Sequence, residues 1–572
     1  SDCYRCIREC PVKAIRVING EAEVMADKCI LCGHCVAVCP VGAKRVRDDL
    51  RRALYLLNRK KKVILSLAPS FAGEFDDVPV EKLINGIRKL GFFGVSETAI
   101  GAQEVSEFIG KMISKKDDDL MLSTACPAAV DLVLKYFPQY SDKLTGVYSP
   151  LLAHCVLLRK IYGDDIGIVF AGPCIAKKKE ADKNPDLLDV VITFEDLRKW
   201  LESSKIDFEK LDTSSDDHFI PFKAQNGALY PIEGGMIATL DKPQNRSMRF
   251  MTLSGVETIY EAFSSLDFTS KGRGLFIELL ACENGCIRGP KVTKTTPVGS
   301  RMSVIDYADD DNCTQDYQVT DKIECKYFEN RVNIGTPELD LITLALESIG
   351  KTKPEDELNC DSCGYGTCRG LAAALVENKA EPCMCSSYMR QMAQKKANAL
   401  IKTIPYGVVI VDNDLRIIDS NDHFANLLGQ DIEEISNVIP GLTNADLSKI
   451  VPFHGLFSKV LMTGEDITQQ FVKYHDQIIA ITVFTVEKSR IAGAILRDAT
   501  TTESKREQIV EKAQEVIRNT SVTAQKIAFL MGKNAAQSEK ILNSLIESFS
   551  TTEDTDNVQG ATDTAKGHGS LL

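Results

Sequence analysis

The cysteines are the feature that most constrains how this chain folds. The chain has 19 cysteines in 572 residues, seven of them within residues 3–39 and five within residues 360–385. Disulfide frameworks of this density are typical of short secreted chains, so clustered thiols in a long chain favour metal binding in a reducing compartment. We therefore expect a cytoplasmic protein that folds around metal centres.

Length and composition set the outer limits. The chain is long enough for about three to five domains, and its contents of 44% hydrophobic and 26% charged residues are ordinary for a globular protein. A net charge of −12 without a basic tract argues against nucleic-acid binding. No run of about 18 apolar residues predicts a membrane span. No signal peptide is evident, although the first residue is Ser and the native start may lie upstream.

The amino-terminal cysteines form two related runs. Residues 29–40 read CILCGHCVAVCP, a complete C-x2-C-x2-C-x3-C-P motif, and residues 3–11 repeat it without its first cysteine. That cysteine would precede Ser1, so we infer that the sequence starts within the motif. Two such runs predict a two-cluster [4Fe–4S] ferredoxin in which the fourth cysteine of each run ligates the other cluster. The alternative, a zinc ribbon, would use pairs of cysteines. Cluster one would use Cys3, Cys6, Cys39 and the preceding residue, and cluster two Cys10, Cys29, Cys32 and Cys35.

Residues 49–352 alternate apolar strand-like runs with helical stretches, which predicts α/β architecture. Three segments within it carry cysteines at expected strand ends, where α/β proteins place their sites. They are STACPAA with Cys126, GPCIAKKKE with Cys174, and ELLACENGCIRGP with Cys282 and Cys286. The last two are spaced for one face of a helix. Spacing alone leaves two alternatives, a shared metal site and buried structural cysteines.

These segments, in this order behind a two-cluster domain, resemble the H-cluster motifs of [FeFe]-hydrogenases, TSCCPxW, MPCxxKxxE and ExMACxGGCxxGG. The resemblance covers about residues 1–350. It implies that Cys126, Cys174, Cys282 and Cys286 hold a [4Fe–4S] cube and that Cys286 bridges to a di-iron subsite with CO and cyanide ligands. It further implies that Lys177 donates to a cyanide and Glu180 closes the second motif. The family segment matching SLAPSF lines the subsite, which implicates Ala68, Pro69 and Ser70.

The departures from these motifs are informative. Ala125 stands where the family has a cysteine that carries protons to the distal iron, and a methyl group exchanges no proton. Losing a positioned acid or base typically costs about 10²–10⁴-fold in rate. Gly172 and Leu280 replace methionines and Asn284 replaces a glycine, which indicates a repacked pocket. Slow turnover is adequate for sensing.

Residues 360–385 contain a second metal motif. The run CDSCGYGTC, followed by a helix and further cysteines, resembles a small [4Fe–4S] domain of anaerobic redox proteins. The resemblance makes Cys360, Cys363 and Cys368 ligands, with Cys385 preferred over Cys383 as the fourth. Zinc is the alternative, because four thiolates suit either metal.

The stretch IPYGVVIVDNDLRIIDSNDHFANLLG resembles the opening of a PAS domain. We expect its remaining strands near 470–477, 478–486 and 490–498, in an antiparallel sheet. His423, His454 and His475 are candidate haem ligands, with structural or exposed histidines as the alternative. Residues 501–550 predict a coiled coil or a helix packed on the PAS sheet, and the polar residues 551–572 predict disorder. His154, Cys155, Cys313 and Cys325 are interpreted as structural.

The predicted fold class is therefore multidomain α/β, with a ferredoxin-like domain, an α/β H-cluster domain, a small cluster domain, an α+β PAS domain and a carboxyl-terminal helix. The predicted boundaries are 1–48, 49–352, 353–391, 392–500, 501–550 and 551–572.

The leading hypothesis for function is a sensory hydrogenase-like protein. H2 would react at the H-cluster, and electrons or a conformational change would pass to the extra cluster and the PAS domain. The amino-terminal clusters would exchange electrons with a ferredoxin, and the output would reach a kinase, phosphatase or other protein from a homodimer formed through PAS and the terminal helix. The alternatives are a catalytic hydrogenase and an iron–sulfur scaffold without the di-iron subsite.

Overall fold

The computed structural model describes residues 3–115, 120–240, 248–265, 268, 274–294, 296–309, 323–333, 335, 337–475 and 477–499. The chain divides into two compact units, which we describe separately. One spans Tyr4–Pro382, and the other contains Cys3 and the described residues from Cys383 onward. Cys313, the predicted helix 501–550 and the tail 551–572 lie outside the described residues.

The amino-terminal domain is a small motif around one hairpin. Its strands pair antiparallel, with Ile18 opposite Glu21 across the two-residue loop Asn19–Gly20. Both loop residues have positive φ, as the tightest hairpin turns require, and Asn-Gly is the preferred pair there. Ile7, Ile15 and Ile30 are fully buried beneath the cysteine runs. The elements are α1 (Arg5–Arg8), β1 (Ile15–Ile18), β2 (Glu21–Val24) and α2 (His34–Ala37).

The middle region is built on two parallel sheets. Strand order is β4-β3-β6-β7 in one sheet and β5-β9-β8 in the other, and every pair in both is parallel. Strands β3, β6 and β9 are buried along their whole length, which explains their predominantly apolar sequences. The strands are β3 (Val63–Leu67), β4 (Gly94–Glu97), β5 (Leu120–Leu122), β6 (Gly167–Gly172), β7 (Val190–Thr193), β8 (Arg249–Ser254) and β9 (Leu275–Leu280).

Helices connect these strands, and two of them begin with recognisable start signals. Thr193 forms a reciprocal capping box with Asp196 at the start of α10, and Pro127 occupies the first turn of α7. The helices are α3 (Leu50–Arg59), α4 (Phe71–Glu74), α5 (Val80–Lys89), α6 (Thr98–Lys115), α7 (Pro127–Tyr136), α8 (Pro150–Tyr162), α9 (Ala176–Lys183), α10 (Phe194–Ser203), α11 (Gly235–Thr239), α12 (Val256–Ser265) and α13 (Pro297–Ala308).

A helix pair follows in the same unit: α14 (Leu339–Ser348) packs on α15 (Cys368–Val376). Thr367 caps α15 by accepting a hydrogen bond from the Gly370 N–H at 2.9 Å. The cysteines of the 360–368 loop therefore lie immediately before, and at the first residue of, a well-defined helix.

The second unit begins with a long helix and continues into a five-stranded antiparallel sheet of order β11-β10-β14-β13-β12. The predicted antiparallel PAS sheet is confirmed, although β12 ends at Tyr474 and the prediction of 470–477 ran past it. The helices are α16 (Ser386–Thr403), α17 (Asp422–Leu428), α18 (Gln430–Val438), α19 (Leu447–Ile450) and α20 (Gly455–Thr463). The strands are β10 (Gly407–Asp412), β11 (Ile417–Ser420), β12 (Ile467–Tyr474), β13 (Gln477–Glu487) and β14 (Ile491–Asp498).

No helix among the described residues is both long enough and apolar enough to cross a membrane.

Candidate metal centre

Four distant cysteines of the middle region line one cavity. Cys126 follows β5, Cys174 follows β6, and Cys282 and Cys286 follow β9, so all come from the carboxyl ends of parallel strands. The lining residues of the cavity are Leu31, Cys32, Cys126, Ala128, Pro173, Cys174, Leu280, Ala281, Cys282, Gly285, Cys286 and Gly289.

The electrostatics of this cavity favour a bound cationic group. Burial raises the pKa of Cys174 to about 11, and the Cys126 thiolate raises it further. Burial also raises the pKa of Cys282 and of Cys286, and the neighbouring thiols add to both shifts. Deprotonating Cys174, Cys282 and Cys286 at neutral pH therefore requires a compensating positive charge, which a metal cluster supplies.

Four thiols are the ligand set of a [4Fe–4S] cube. Apart from its cysteines, the cavity is lined by apolar residues and glycines, so no oxygen- or nitrogen-bearing side chain in the lining competes as a ligand. Within the described ranges, no three His, Cys, Asp or Glu side chains are placed to hold one metal ion.

Backbone features explain how the third segment closes the cavity. The sequence predicted Cys282 and Cys286 on one helix face, and this was wrong: residues 281–285 form turns and bends, and a short 3-10 helix begins at Cys286. Asn284 has φ 59°, which asparagine tolerates. Gly285 has φ 89°, and a Cβ there would lie 2.3 Å from the carbonyl oxygen of Pro231. Tight backbone packing replaces the helix.

Lys177 lies near the cavity thiols but is not among the lining residues. Its ammonium donates to Glu180 Oε2 at 2.7 Å and to Ser149 Oγ at 2.8 Å. Its charge lowers the pKa of both Cys174 and Cys286, although burial dominates each shift. The chain therefore holds a buried cation beside two of the thiols.

The SLAPSF segment lies at the carboxyl end of β3, which pairs with β6, the strand that precedes Cys174. Ala68 and Ser70 are buried, and Pro69 is partly buried. The Ser70 hydroxyl is enclosed and has no hydrogen-bond partner in the described structure. None of the three is a lining residue of the cavity, so their predicted contact with a subsite stays a prediction.

Packing explains two of the departures from the family motifs. A Cβ on Gly172 would lie 2.5 Å from the Phe170 ring and 2.9 Å from the Ala68 Cβ, so only glycine fits. Ala125 packs against a buried apolar cluster that includes Val147 and Phe276. Next to it, the Thr124 hydroxyl donates to the Val147 carbonyl at 2.7 Å. The position predicted to carry protons is therefore occupied by a methyl group with apolar neighbours.

The amino-terminal cysteines also come together. Burial raises the pKa of Cys32 to about 12, and the thiols of Cys10, Cys29 and Cys35 raise it further. Burial raises the pKa of Cys35 to about 11, with Cys6 among its charged neighbours. Cys39 has a lowered pKa because backbone N–H groups, that of Lys44 first, donate to it. The structure thus groups the four residues predicted for cluster two.

Within the 360–368 loop, Cys363 and Cys368 are buried and Cys360 is exposed. Asn359 closes the loop, because its Oδ1 accepts the Cys368 N–H at 2.9 Å. Cys3, Cys383 and Cys385 belong to the other unit, so the choice between Cys383 and Cys385 stays open.

The residues interpreted as structural have ordinary partners. His154 is fully buried, with Nδ1 bonded to the Ser66 hydroxyl at 2.9 Å and Nε2 to the Ser96 hydroxyl at 2.8 Å. Burial lowers its pKa to about 3, so it is neutral. Burial raises the pKa of Cys155 and of Cys325, and Tyr327 hydrogen-bonds the latter. Of the candidate haem ligands, His423 and His475 are exposed and His454 is half-buried.

Glu278 and Glu97 are among the buried carboxyl groups that the sequence did not single out. Glu278 lies within β9, accepts hydrogen bonds from Met236 N and Thr252 Oγ1, and has a pKa raised by burial to about 7. Glu97 at the end of β4 accepts from Ala224 N and Tyr307 Oη, with a pKa also raised by burial to about 7. The available signal was a glutamate inside a continuous apolar run, as in LFIELL.

Four thiols at parallel strand ends around one cavity fit an iron–sulfur site. Residues 61–290 match the family model of the C-terminal domain of the iron-only hydrogenase large subunit, and residues 1–40 match that of the 4Fe–4S dicluster domain. Residues 356–387 match an Fe–S cluster family and residues 396–455 the PAS domain family. The chain is thus hydrogenase-like: a region similar to iron-only hydrogenases follows a region similar to dicluster domains and precedes regions similar to Fe–S and PAS domains.

The NADP-reducing hydrogenase subunit HndD of Solidesulfovibrio fructosivorans is 27% identical over 367 residues, covering 50% of this chain and 62% of that protein. Iron hydrogenase 1 of Clostridium pasteurianum is 24% identical over 308 residues, covering 44% of this chain and 53% of that protein. The chain therefore spans somewhat more than half the length of these relatives. A solved structure of a variant of [FeFe]-hydrogenase HydA1 from Chlamydomonas reinhardtii is 18% identical in sequence, with a TM-score of 0.36. The match covers 45% of this chain and 88% of that one.

Proposed function

We propose that this protein senses H2: slow hydrogenase chemistry at the cysteine cavity is reported through the 360–368 loop and the PAS domain. One observation carries the proposal, the meeting of Cys126, Cys174, Cys282 and Cys286 around one buried cavity at parallel strand ends. When bound, a [4Fe–4S] cube with a CO- and cyanide-ligated di-iron subsite supplies the chemistry that separates H2 into protons and electrons.

The protein's own residues hold and insulate that group. In this proposal Cys126, Cys174, Cys282 and Cys286 would hold the group, with Cys286 also the residue that would connect the cube to the subsite. Lys177 contributes a fixed ammonium next to them, held in place by Glu180 and Ser149. A buried cation of this kind suits anionic cyanide, because each desolvated charge then has a partner.

Slow turnover follows from Ala125. The methyl group neither accepts nor donates a proton, so no side chain at this position completes the usual transfer, and the expected loss is about 10²–10⁴-fold in rate. Low turnover consumes little H2 and is compatible with a regulatory role.

The readout passes through the unit that contains the PAS domain. Asn421 joins the end of α16 to the PAS core: its Nδ2 donates to Ile401 O at 2.9 Å and Tyr406 O at 2.7 Å, and its Oδ1 accepts from Val408 N at 2.8 Å. A change at α16 is therefore transmitted to β10. The proposal assigns the output to a kinase, phosphatase or other protein bound in trans, and to a homodimer formed through this unit.

Two measurements test this function. Infrared spectra of the matured protein are expected to contain bands of bound CO and cyanide; their absence would favour the iron–sulfur scaffold. The rate of H2 evolution is expected to rise in Ala125→Cys and to stay near that of the native protein in Ala125→Ser, because a serine hydroxyl does not ionise at neutral pH. A native rate that is already high and is unchanged in Ala125→Cys would favour a catalytic hydrogenase and contradict the sensor.

A further inference from the structure

We infer that electrons released from H2 reach the 360–368 loop through the Cys10, Cys29, Cys32 and Cys35 group of the dicluster domain, not directly from the hydrogenase domain. The inference rests on the proposed function and specifies its internal electron path. Chain order suggests otherwise, since the loop follows the hydrogenase domain directly. The contacts within the Tyr4–Pro382 unit point to the dicluster domain as the connection.

The first contact joins the cysteine cavity to the dicluster domain. Cys32 lines the same cavity as Cys126, Cys174, Cys282 and Cys286. The next residue, Gly33, has φ 80°, and a Cβ there would lie 2.5 Å from Pro290 and 3.0 Å from Ile175. The cysteine motif is thus packed directly on two segments of the hydrogenase domain.

Helix α7 makes a further set of contacts between the cavity and the dicluster domain. It starts after Cys126 and ends with Lys135 and Tyr136. The buried Lys135 ammonium donates to the backbone carbonyls of Asp27 at 2.6 Å and Cys29 at 2.8 Å. The Tyr136 hydroxyl donates to the carbonyl of Lys28 at 2.7 Å. One rigid helix therefore joins a cavity cysteine to the backbone that carries Cys29.

The second contact joins the dicluster domain to the 360–368 loop. Arg8, which lies between Cys6 and Cys10, donates from Nη1 to the Ser362 carbonyl at 3.0 Å. Gly364 has φ 87°, and a Cβ there would lie 2.8 Å from Arg8 N and 3.0 Å from Arg8 Cα. Only glycine lets the two backbones approach this closely.

The chain beyond the loop continues the same interface. Strand β1 is extended by a backbone hydrogen bond from Val17 N to Lys379 O at 2.9 Å, and the Gly20 N–H donates to the Glu381 carboxylate at 3.3 Å. The Tyr365 hydroxyl, from within the 360–368 loop, donates to the same Lys379 carbonyl at 3.2 Å. The loop and strand β1 therefore meet at one backbone acceptor.

The electron balance is simple. Oxidation of one H2 at the cavity releases two protons to solvent and two electrons. One electron reduces the 360–368 group from the 2+ to the 1+ state, and the other reduces the Cys10, Cys29, Cys32 and Cys35 group in the same way. No further oxidant is needed, because the oxidised clusters are the acceptors.

The test compares two glycine variants of the full, matured protein. Gly364→Ala places a methyl group against Arg8 at positive φ, whereas Gly366→Ala has a similar φ of 74° but nothing within 4 Å of the new Cβ. Arg8→Gln is a further variant without a glycine change, and Cys363→Ser identifies the electron paramagnetic resonance (EPR) signal of the loop. The first readout is magnetic coupling between the reduced loop and dicluster groups in chemically reduced protein. The second is the rate at which H2 reduces the loop, followed by rapid freezing.

We expect Gly364→Ala to weaken the coupling and to slow reduction by H2 at least about tenfold, equivalent to about 1.4 kcal/mol in the barrier. Arg8→Gln should act in the same direction, and Gly366→Ala should behave as the native protein does. Unchanged coupling and rate in both Gly364→Ala and Arg8→Gln would overturn the path while leaving the sensor intact. If H2 reduces no cluster in native protein although the coupling is present, both the path and the proposed function fail.

Discussion

The cysteine cavity and the 360–368 loop present thiols for similar groups but are assembled in opposite ways. The cavity draws four cysteines from positions 126 to 286, on strand ends of two sheets. The loop places three cysteines within nine residues and closes on itself, with Gly366 N–H donating to Asp361 Oδ1 at 2.6 Å and Asn359 bonding Cys368. The cavity therefore depends on the whole hydrogenase fold, and the loop mostly on local turns.

Because the cavity and the 360–368 loop are assembled differently, we expect cysteine substitutions in the two sites to affect function differently. In the proposed metal site, Cys282→Ala removes one of four ligands and leaves three thiols that would no longer hold the group. We expect loss of the CO and cyanide infrared bands and of essentially all H2 reactivity. In the matched variant Cys363→Ala, H2 oxidation with an artificial acceptor should stay close to native. Equal loss of activity in both variants would contradict the separation.

A large stability effect is expected where the dicluster domain joins helix α7. Lys135→Met removes a buried ammonium and leaves the carbonyls of Asp27 and Cys29 unsatisfied, at a cost of about 3 kcal/mol. The exposed pair Lys111–Glu107 provides the control, because Lys111→Met should cost less than about 1 kcal/mol. Thermal unfolding of both variants measures the difference, and a similar shift for both would mean that Lys135 contributes nothing special.

We expect acid to lower the stability of the sheet that contains β3 and β4, and to affect the 360–368 loop less. The pKa of His154 is about 3 in the folded protein, far below its usual value near 6.5, so below pH 6.5 the unfolded state binds a proton that the folded state excludes. Stability therefore falls by about 1.4 kcal/mol per pH unit from pH 6.5 downward until the folded pKa is reached.

Hydrogen exchange at pH 7.5 and 5.5 measures this effect. Protection of β3 and β4, which carry Ser66 and Ser96, should fall with pH, whereas α15 contains no histidine and should change less. The loss of protection between pH 7.5 and pH 5.5 should be smaller in His154→Asn. If that variant loses as much protection as the native protein does, groups other than His154 cause the acid sensitivity.

The smallest expected effect is confined to the loop. Asn359→Ala loses the acceptor for the Cys368 N–H and places alanine at φ 46°, which together cost about 1–3 kcal/mol locally. The loop should release iron to a chelator faster, with the infrared bands unchanged. Asn378→Ala, also at positive φ but at the far end of α15, is the control for backbone strain. Changed infrared bands in Asn359→Ala would show that loop and cavity are not independent.

Sequence patterns predicted much of this molecule because much of it is locally encoded. The two amino-terminal cysteine runs follow from short-range spacing, the α/β alternation of the middle region follows from periodicity, and the antiparallel PAS sheet was expected from the resemblance of residues 404–429. The prediction failed where backbone packing replaced a regular element, as between Cys282 and Cys286, where positive φ at Asn284 and Gly285 replaces a helix. Buried Glu97 and Glu278 were missed because their hydrogen-bond donors come from distant segments.

The sequence by itself determined which chemical groups are present and in what order: thiols at cluster spacing, Lys177 beside its glutamate, Ala125 in place of a cysteine, and the sequence of domains. Only the tertiary structure decided which groups meet. It brought Cys32 to the cavity and the 360–368 loop to Arg8, by contacts between residues hundreds of positions apart. Spacing controls geometry over a few bonds, whereas long-range proximity is set by strand pairing, burial and close backbone approach at glycines.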